Sequence, residues 1–292
     1  MSEDAPPALT GEGEPRPAQW ESRFAQVQGL RLHYLDYGGE GKPPMLFVHG
    51  GAASGHWFDF VAADFIDRYH VLALDQRGHG DSEWAVPPDY RYATYAADLA
   101  GFMDALNLQD VTLVGHSMGG MVSLCCTAHH PGDIGRLVVI DSTMRMTPER
   151  VANLRQVGER GGRMHTDRAS FESHFRLRPA GTRASPAVVR HLAALSGRRY
   201  EDGGWRHKFD RAVYATREAI DGFDLWGAVR VPAAVIAGGE SDRISDEIEQ
   251  QIRERQPGLM LQRVPGAGHH VTLDNPPGFV EALERILERA HG

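Results

Sequence analysis

Short apolar runs punctuate the chain, each ending in glycine or a polar residue. They are MLFVHGG from Met45, YHVLALDQRGHG from Tyr69, DVTLVGHS from Asp110, RLVVIDST from Arg136, AAVIAGGESD from Ala233 and LMLQRVPGAGH from Leu259. Runs this uniformly apolar suit strands covered on both faces, since a strand with one wet face would alternate. Between most of them lie stretches with helical spacing, such as YRYATYAADLAGFMDALNL from Tyr90 and GFVEALERILERA from Gly278. Strands alternating with helices predict an α/β fold: a mostly parallel central sheet flanked by helices on both faces. Ahead of the first run, RFAQVQGLRLHYLDYG holds two β-like runs around Gly29 and predicts a hairpin.

The alternation breaks from about Met144 to Trp226. Helical stretches such as PERVANLRQVGER, SPAVVRHLAAL and DRAVYATREAI follow one another there, separated by loops rich in Gly, Pro and Arg. An insertion between two sheet strands that is too long for an ordinary crossover predicts a helical cap, residues 144–226, placed after strand 6. The core is then expected from 21–143 and 227–292. The opening MSEDAPPALTGEGEPRPAQ is rich in Pro, Gly and Glu and poor in apolar residues, so residues 1–20 are expected to be a disordered tail.

Composition narrows the classes of function. A chain of 292 residues suits one α/β domain, and its net charge of −8 without a basic run disfavours nucleic acid as a partner. The only cysteines, Cys125 and Cys126, are adjacent and offer no disulfide framework, which favours a reducing, cytoplasmic setting. No basic start leads into an apolar run, and no segment approaches the roughly 18 apolar residues of a membrane helix. Export and membrane spanning are therefore not expected.

Gly115-His116-Ser117-Met118-Gly119 stands where an apolar run gives way to a helical pattern. It fits G-x-S-x-G, in which serine occupies a sharp strand-to-helix turn at the rim where open parallel sheets bind ligands. The flanking glycines permit close packing, the hydroxyl is exposed, and the Met118 N–H sits at a helix start, aimed at a developing oxyanion. A serine that merely caps the helix is the plainer reading. It is disfavoured by the strand-like VTLVG before the motif and the apolar MVSLCC after it.

A serine hydroxyl needs a base and an orienting acid, expected in the chain order serine, acid, histidine. Of the eight histidines between Ser117 and the terminal His291, only His269 and His270 lie in a loop just after the last apolar strand. His269, directly after Gly266-Ala267-Gly268, is taken as the base, with His270 as its rival. Asp242, a few residues beyond the AAVIAGG strand, is taken as the acid. Asp141, at the end of RLVVIDST, is the runner-up, and Glu240 reads equally well as a solvated loop charge. A second oxyanion donor is expected from His49-Gly50-Gly51, with the Gly51 N–H the candidate and His49 bracing the loop. Gly50, Trp57 and His116 are candidate pocket residues, Trp57 being as readily a core residue. No metal-ligand cluster and no dinucleotide fingerprint occurs, so neither a metal nor an organic cofactor is implied.

These residues resemble the α/β-hydrolase fold superfamily. HGGAASGHW, LDQRGHGDS, GHSMGG, GGESD and GAGHHVTLDNP appear in the family's order, and the match runs from about Gln26 to the C-terminus apart from the variable cap. The resemblance implies the α/β-hydrolase fold, with Arg77 and Asp81 bracing the loop after strand 4. It leaves the substrate open, because the fold carries many chemistries. Ser117 disfavours the epoxide hydrolases and haloalkane dehalogenases of the family, which use aspartate there. His116 and His270 stand where relatives that cleave carbon-carbon bonds show asparagine and tryptophan. Perhydrolase relatives carry a proline in the loop that here reads Gly51-Ala52-Ala53. The resemblance therefore implies a serine esterase or lactonase acting on a small molecule. The alternatives are a carbon-carbon bond hydrolase of ring-fission diketones and a ligand-binding receptor without turnover. The chain is expected to be a monomer or a homodimer. The cap carries arginines including Arg145, Arg150, Arg155, Arg160, Arg163, Arg168, Arg176, Arg178 and Arg183. Some of these would bind a substrate carboxylate if they face inward, although a solvated face is the commoner fate.

Overall fold

Eight strands form one twisted sheet in the computed structural model, which describes residues 15–160 and 162–289. The chain enters through β1 (Glu21–Val27), β2 (Leu30–Gly38), β3 (Pro44–Val48) and β4 (His70–Leu74). It continues through α1 (Tyr92–Ala105), β5 (Val111–His116), α2 (Met118–His129) and β6 (Ile134–Ile140). The hairpin turns at Gln28 and Gly29, both with positive φ, the conformation that matches the twist of the flanking strands. From β3 to the last strand the sheet is parallel, and its strands up to β11 are largely buried because helices cover both faces, while the edge strand β12 buries only Val264.

After β6 the chain leaves the sheet. The insertion holds β7 (Arg145–Met146), α3 (Pro148–Glu159), α4 (Arg168–His174), α5 (Pro186–Ser196), β8 (Gly197–Arg199), β9 (Trp205–His207), α6 (Ala212–Ala215), β10 (Ile220–Asp221) and α7 (Gly222–Trp226). It is not purely helical. β7 pairs with β10 and β8 with β9, forming two ribbons of two and three residues per strand. Local capping rather than amphipathic length starts its helices. Thr147, Asp167 and Ser185 each accept a backbone N–H of the first turn, and proline opens both α3 and α5. The chain then returns as β11 (Ala233–Gly238), α8 (Asp246–Arg255), β12 (Met260–Val264), α9 (Val271–Asp274) and α10 (Pro276–Glu288). β11 pairs with β6 on one side and β12 on the other, so the chain resumes the sheet where it left. Among the described residues no helix is long and apolar enough to cross a membrane.

A buried carboxylate ties the insertion to the sheet domain. Asp59 accepts from Tyr37 Oη at 2.6 Å and meets His56 Nδ1 at 3.0 Å and, from α5, His191 Nε2 at 2.6 Å. Burial alone would hold His56 neutral, but the charge of Asp59 outweighs it and raises the imidazole pKa. The same pairing, working against burial, holds Asp59 below the usual carboxylate range. Part of the expected tail joins this cluster. The Ala18 N–H donates to Asp59 O at 2.6 Å, and the Trp20 ring meets that of His56 edge-on at 4.8 Å. Disorder to residue 20 is therefore corrected, because Ala18 and Trp20 gain apolar burial that their Pro-rich neighbours do not advertise. Residues 1–14 lie outside the described region.

Removing Asp59 would leave two buried imidazoles and a phenol without their shared acceptor. Asp59→Ala is expected to cost about 3–5 kcal/mol in urea unfolding at pH 7. A loss below about 1 kcal/mol would show that the cluster does not anchor the cap.

Candidate active site

Ser117 joins β5 to α2 in a backbone conformation, φ 54° and ψ −115°, that side chains normally avoid. The neighbouring glycines make it possible. A Cβ on Gly115 would lie 2.4 Å from Gly119 O, and one on Gly119 would lie 2.3 Å from Val48 O and 2.4 Å from His49 O. The first turn of α2 is thus pressed onto the ends of β3 and β5, which holds Ser117 at the sheet rim, half-buried.

His269, in the loop between β12 and α9, faces the serine. Its Nε2 lies 3.0 Å from Ser117 Oγ and its Nδ1 lies 2.7 Å from Asp141 Oδ2. With Nδ1–H donating to the carboxylate, Nε2 is free to accept the serine proton. His270 turns the other way, its Nε2 toward Arg178 O at 3.1 Å.

The carboxylate is Asp141 and not Asp242. Asp141 directly follows β6 with a positive φ of 42° and is fully buried. It also accepts from Ser241 Oγ at 2.7 Å and Gly238 N–H at 3.2 Å. Burial raises its pKa, while these two donors pull the other way. Asp242 is exposed on the neighbouring loop and touches His269 only through its field. Glu240 pairs with Arg183 of the cap. Burial and then the nearby Arg243 and His270 hold His269 below the usual imidazole range, so it is neutral at pH 7.

Of the expected oxyanion donors, Gly51 lies against the side chain of Met118: a Cβ on Gly51 would lie 3.7 Å from Met118 Sδ. Gly50 is tighter, its Cβ position 3.2 Å from both Ser117 Cβ and His116 Nδ1. His49 braces this loop as the sequence suggests. Its Nδ1 donates to Gly50 O at 2.7 Å and its Nε2 accepts from Gln76 N–H at 3.0 Å. His116 is a support and not a pocket wall. Its buried ring lies over Trp57 with centroids 5.4 Å apart, and its Nε2 meets His269 O at 2.9 Å. Trp57 is buried and also lines a cleft of about 60 Å³. Gly51, Ala52, Ala53 and Ser54 form one side of that cleft, and Phe175, Arg178, Leu192 and His207 of the insertion face them. His33, Asp75 and Asp81 form the one close grouping of metal-type side chains among the described residues. Its carboxylates are already engaged, by His33 and the Gly55 N–H at Asp75 and by Lys208 at Asp81. Arg77 pairs with Asp98 rather than with a ligand.

The family model for the alpha/beta hydrolase fold matches residues 43–276. The chain belongs to this family. It is 29% identical over 270 residues to the 2-(acetamidomethylene)succinate hydrolase of Mesorhizobium japonicum, covering 91% of this chain and 95% of that one. It is 28% identical over 272 residues to esterase Rv0045c of Mycobacterium tuberculosis, covering 90% and 88%. The crystal structure of E-2-(acetamidomethylene)succinate hydrolase superposes with a TM-score of 0.81 at 26% identity, covering 92% of this hydrolase and all of that chain.

The two aspartates can be separated by phosphonylation of Ser117 with a fluorophosphonate, a readout that needs no substrate. Asp141→Asn is expected to slow labelling by about 10²–10⁴-fold, as loss of an orienting carboxylate does. Asp242→Asn should stay within about threefold, and the reverse ranking would restore Asp242 as the acid.

Proposed function

We propose that this protein is a serine hydrolase that opens a carboxylic ester or lactone through an acyl-enzyme intermediate. The observation that carries the reading is the relay from Ser117 Oγ to His269 Nε2 and from His269 Nδ1 to Asp141, at 3.0 and 2.7 Å. Ser117 Oγ attacks the acyl carbonyl while its proton passes to His269 Nε2. The Met118 and Gly51 N–H groups receive the oxyanion, each donor contributing about 3 kcal/mol in such sites. The tetrahedral intermediate collapses as the acyl C–O bond breaks, and His269 returns the proton to the leaving alcohol oxygen. Water then attacks the acyl-serine, giving one proton to His269 and releasing the acid, and the proton returns to Ser117.

Asp141 holds the imidazole tautomer and stabilises the imidazolium without taking the proton. The complete relay supports an enzyme over a receptor. The name of the M. tuberculosis relative supports an ester substrate. Beside the Gly51 loop the cleft against the insertion measures about 60 Å³, room there for a small acyl group only.

Turnover of 4-nitrophenyl esters from acetate to decanoate tests the reading. Wild type should hydrolyse the short members, and Ser117→Ala should lose at least about 10³-fold in kcat. Equal rates for the two proteins would overturn it. Catalysis needs neutral His269, whose pKa is lowered, so the acid limb of kcat/KM should lie below pH 6.5 with a plateau at pH 7. Arg243→Met removes a cation that disfavours the imidazolium. The limb should then move to higher pH, and an unmoved limb would show that Arg243 does not act on the base.

A further inference from the structure

Arg217 is a buried guanidinium without a counter-ion among the described residues. It is 3% exposed, in the stretch between α6 and β10 of the cap. Its Nη1 donates to Tyr92 Oη at 3.1 Å, its Nη2 points at Met118 Sδ at 2.8 Å, and its Nε has no partner. The guanidinium also lies 5.2 Å from the Tyr92 ring centroid. Among the described residues no carboxylate forms an ion pair with it.

Arg77 supplies the internal contrast. It is also buried, yet it is held in a fork by both oxygens of Asp98. A guanidinium stays charged in any protein environment, and burying that charge unpaired is costly. A thioether is a weak acceptor and cannot compensate for it. Met118 is moreover a flexible side chain, attached to the residue that follows Ser117, and its Sδ lies against Gly51. The orphan edge of the arginine is thus separated from the expected oxyanion site by one movable methionine side chain.

We propose that Arg217 is a specificity residue whose Nε and Nη2 receive a carboxylate of the substrate, which displaces the Met118 thioether. Planar two-point donation is the geometry that guanidinium offers a carboxylate. The proposal rests on the serine-hydrolase reading and refines its substrate class. The preferred compounds are short acyl derivatives carrying a free carboxylate close to the scissile carbonyl, such as hemi-esters of small dicarboxylic acids. The arginine is cap-borne, so the same contact would report that the cap is seated over a charged substrate. Tyr92 fixes the far side of the guanidinium, and Arg155 of α3 holds the backbone by donating to Arg217 O at 3.4 Å.

The test compares 4-nitrophenyl hemiglutarate with 4-nitrophenyl valerate, corrected for spontaneous hydrolysis, in wild type, Arg217→Lys and Arg217→Met. Wild type should prefer the charged ester in kcat/KM. Arg217→Met should lower that preference by about 10–100-fold, and Arg217→Lys should retain part of it. A preference unchanged in Arg217→Met, or both esters falling in equal proportion, would overturn the proposal and leave a structural arginine. Should Arg217→Met fail to fold, wild type still decides. Glutarate should slow fluorophosphonate labelling of Ser117 and raise the melting temperature well beyond equimolar valerate, and equal effects would refute the carboxylate site. Failure of the hydrolase reading looks different: no ester is turned over and Ser117 is not labelled. The Ser117→Ala protein then still reports glutarate binding through its melting temperature.

Discussion

Contact between the first turn of α2 and the end of β3 leaves no room for a side chain at Gly119, whose Cβ would sit 2.3 Å from a strand carbonyl. That closeness forces the sharp turn at Ser117 and fixes where the helix begins. The Met118 N–H, the Gly51 loop and the serine hydroxyl then share one small volume at the sheet rim. Backbone strain at a single residue is retained because the packed strands and helix around it over-determine its position. The Ser117 hydroxyl is therefore placed by backbone sterics, and side-chain hydrogen bonds only refine it.

The charges around that volume are arranged asymmetrically. On the β6 side Asp141 is surrounded by donors, which keeps the carboxylate usable despite burial. On the loop side burial, and after it Arg243 and His270, oppose protonation of His269, so its imidazole rests neutral. Farther out, Asp59 gathers histidines from the sheet domain and from α5, fastening the insertion over the rim. Asp141 follows a strand end directly and His191 stands on a helix, while Arg243 and His269 lie in the short loops that join β11 to α8 and β12 to α9.

The strands, the hairpin and the serine turn were legible because each leaves a local signature: apolar runs, a Gly29 turn, small residues flanking Ser117. The choice between Asp141 and Asp242 was not, because β6 and β11 are neighbours in the sheet and their following loops leave the same rim. Only the turn of the backbone at Asp141, immediately after its strand, settles which carboxyl faces His269; Asp242 lies four residues beyond Gly238 and drifts to solvent. The cap ribbons escaped notice since two or three residues show no periodicity. Trp20 reads as part of a polar tail until His56 is found beside it. Arg217 looks in sequence like any arginine of an Arg-rich segment, and its isolation from carboxylates is a property of the folded chain alone.

The helix that carries the serine also carries the chain's two thiols, Cys125 and Cys126, both buried. Burial pushes their pKa values up to about 11 and about 12. At pH 7 the thiolate fraction is then roughly one in ten thousand or less, and the thiolate is the form that oxidants and alkylating agents attack. Two adjacent helical thiols point apart and have no geometry for pairing. Ser117 at the head of α2 is thus followed, within the same helix, by two sulfurs held in the unreactive thiol form.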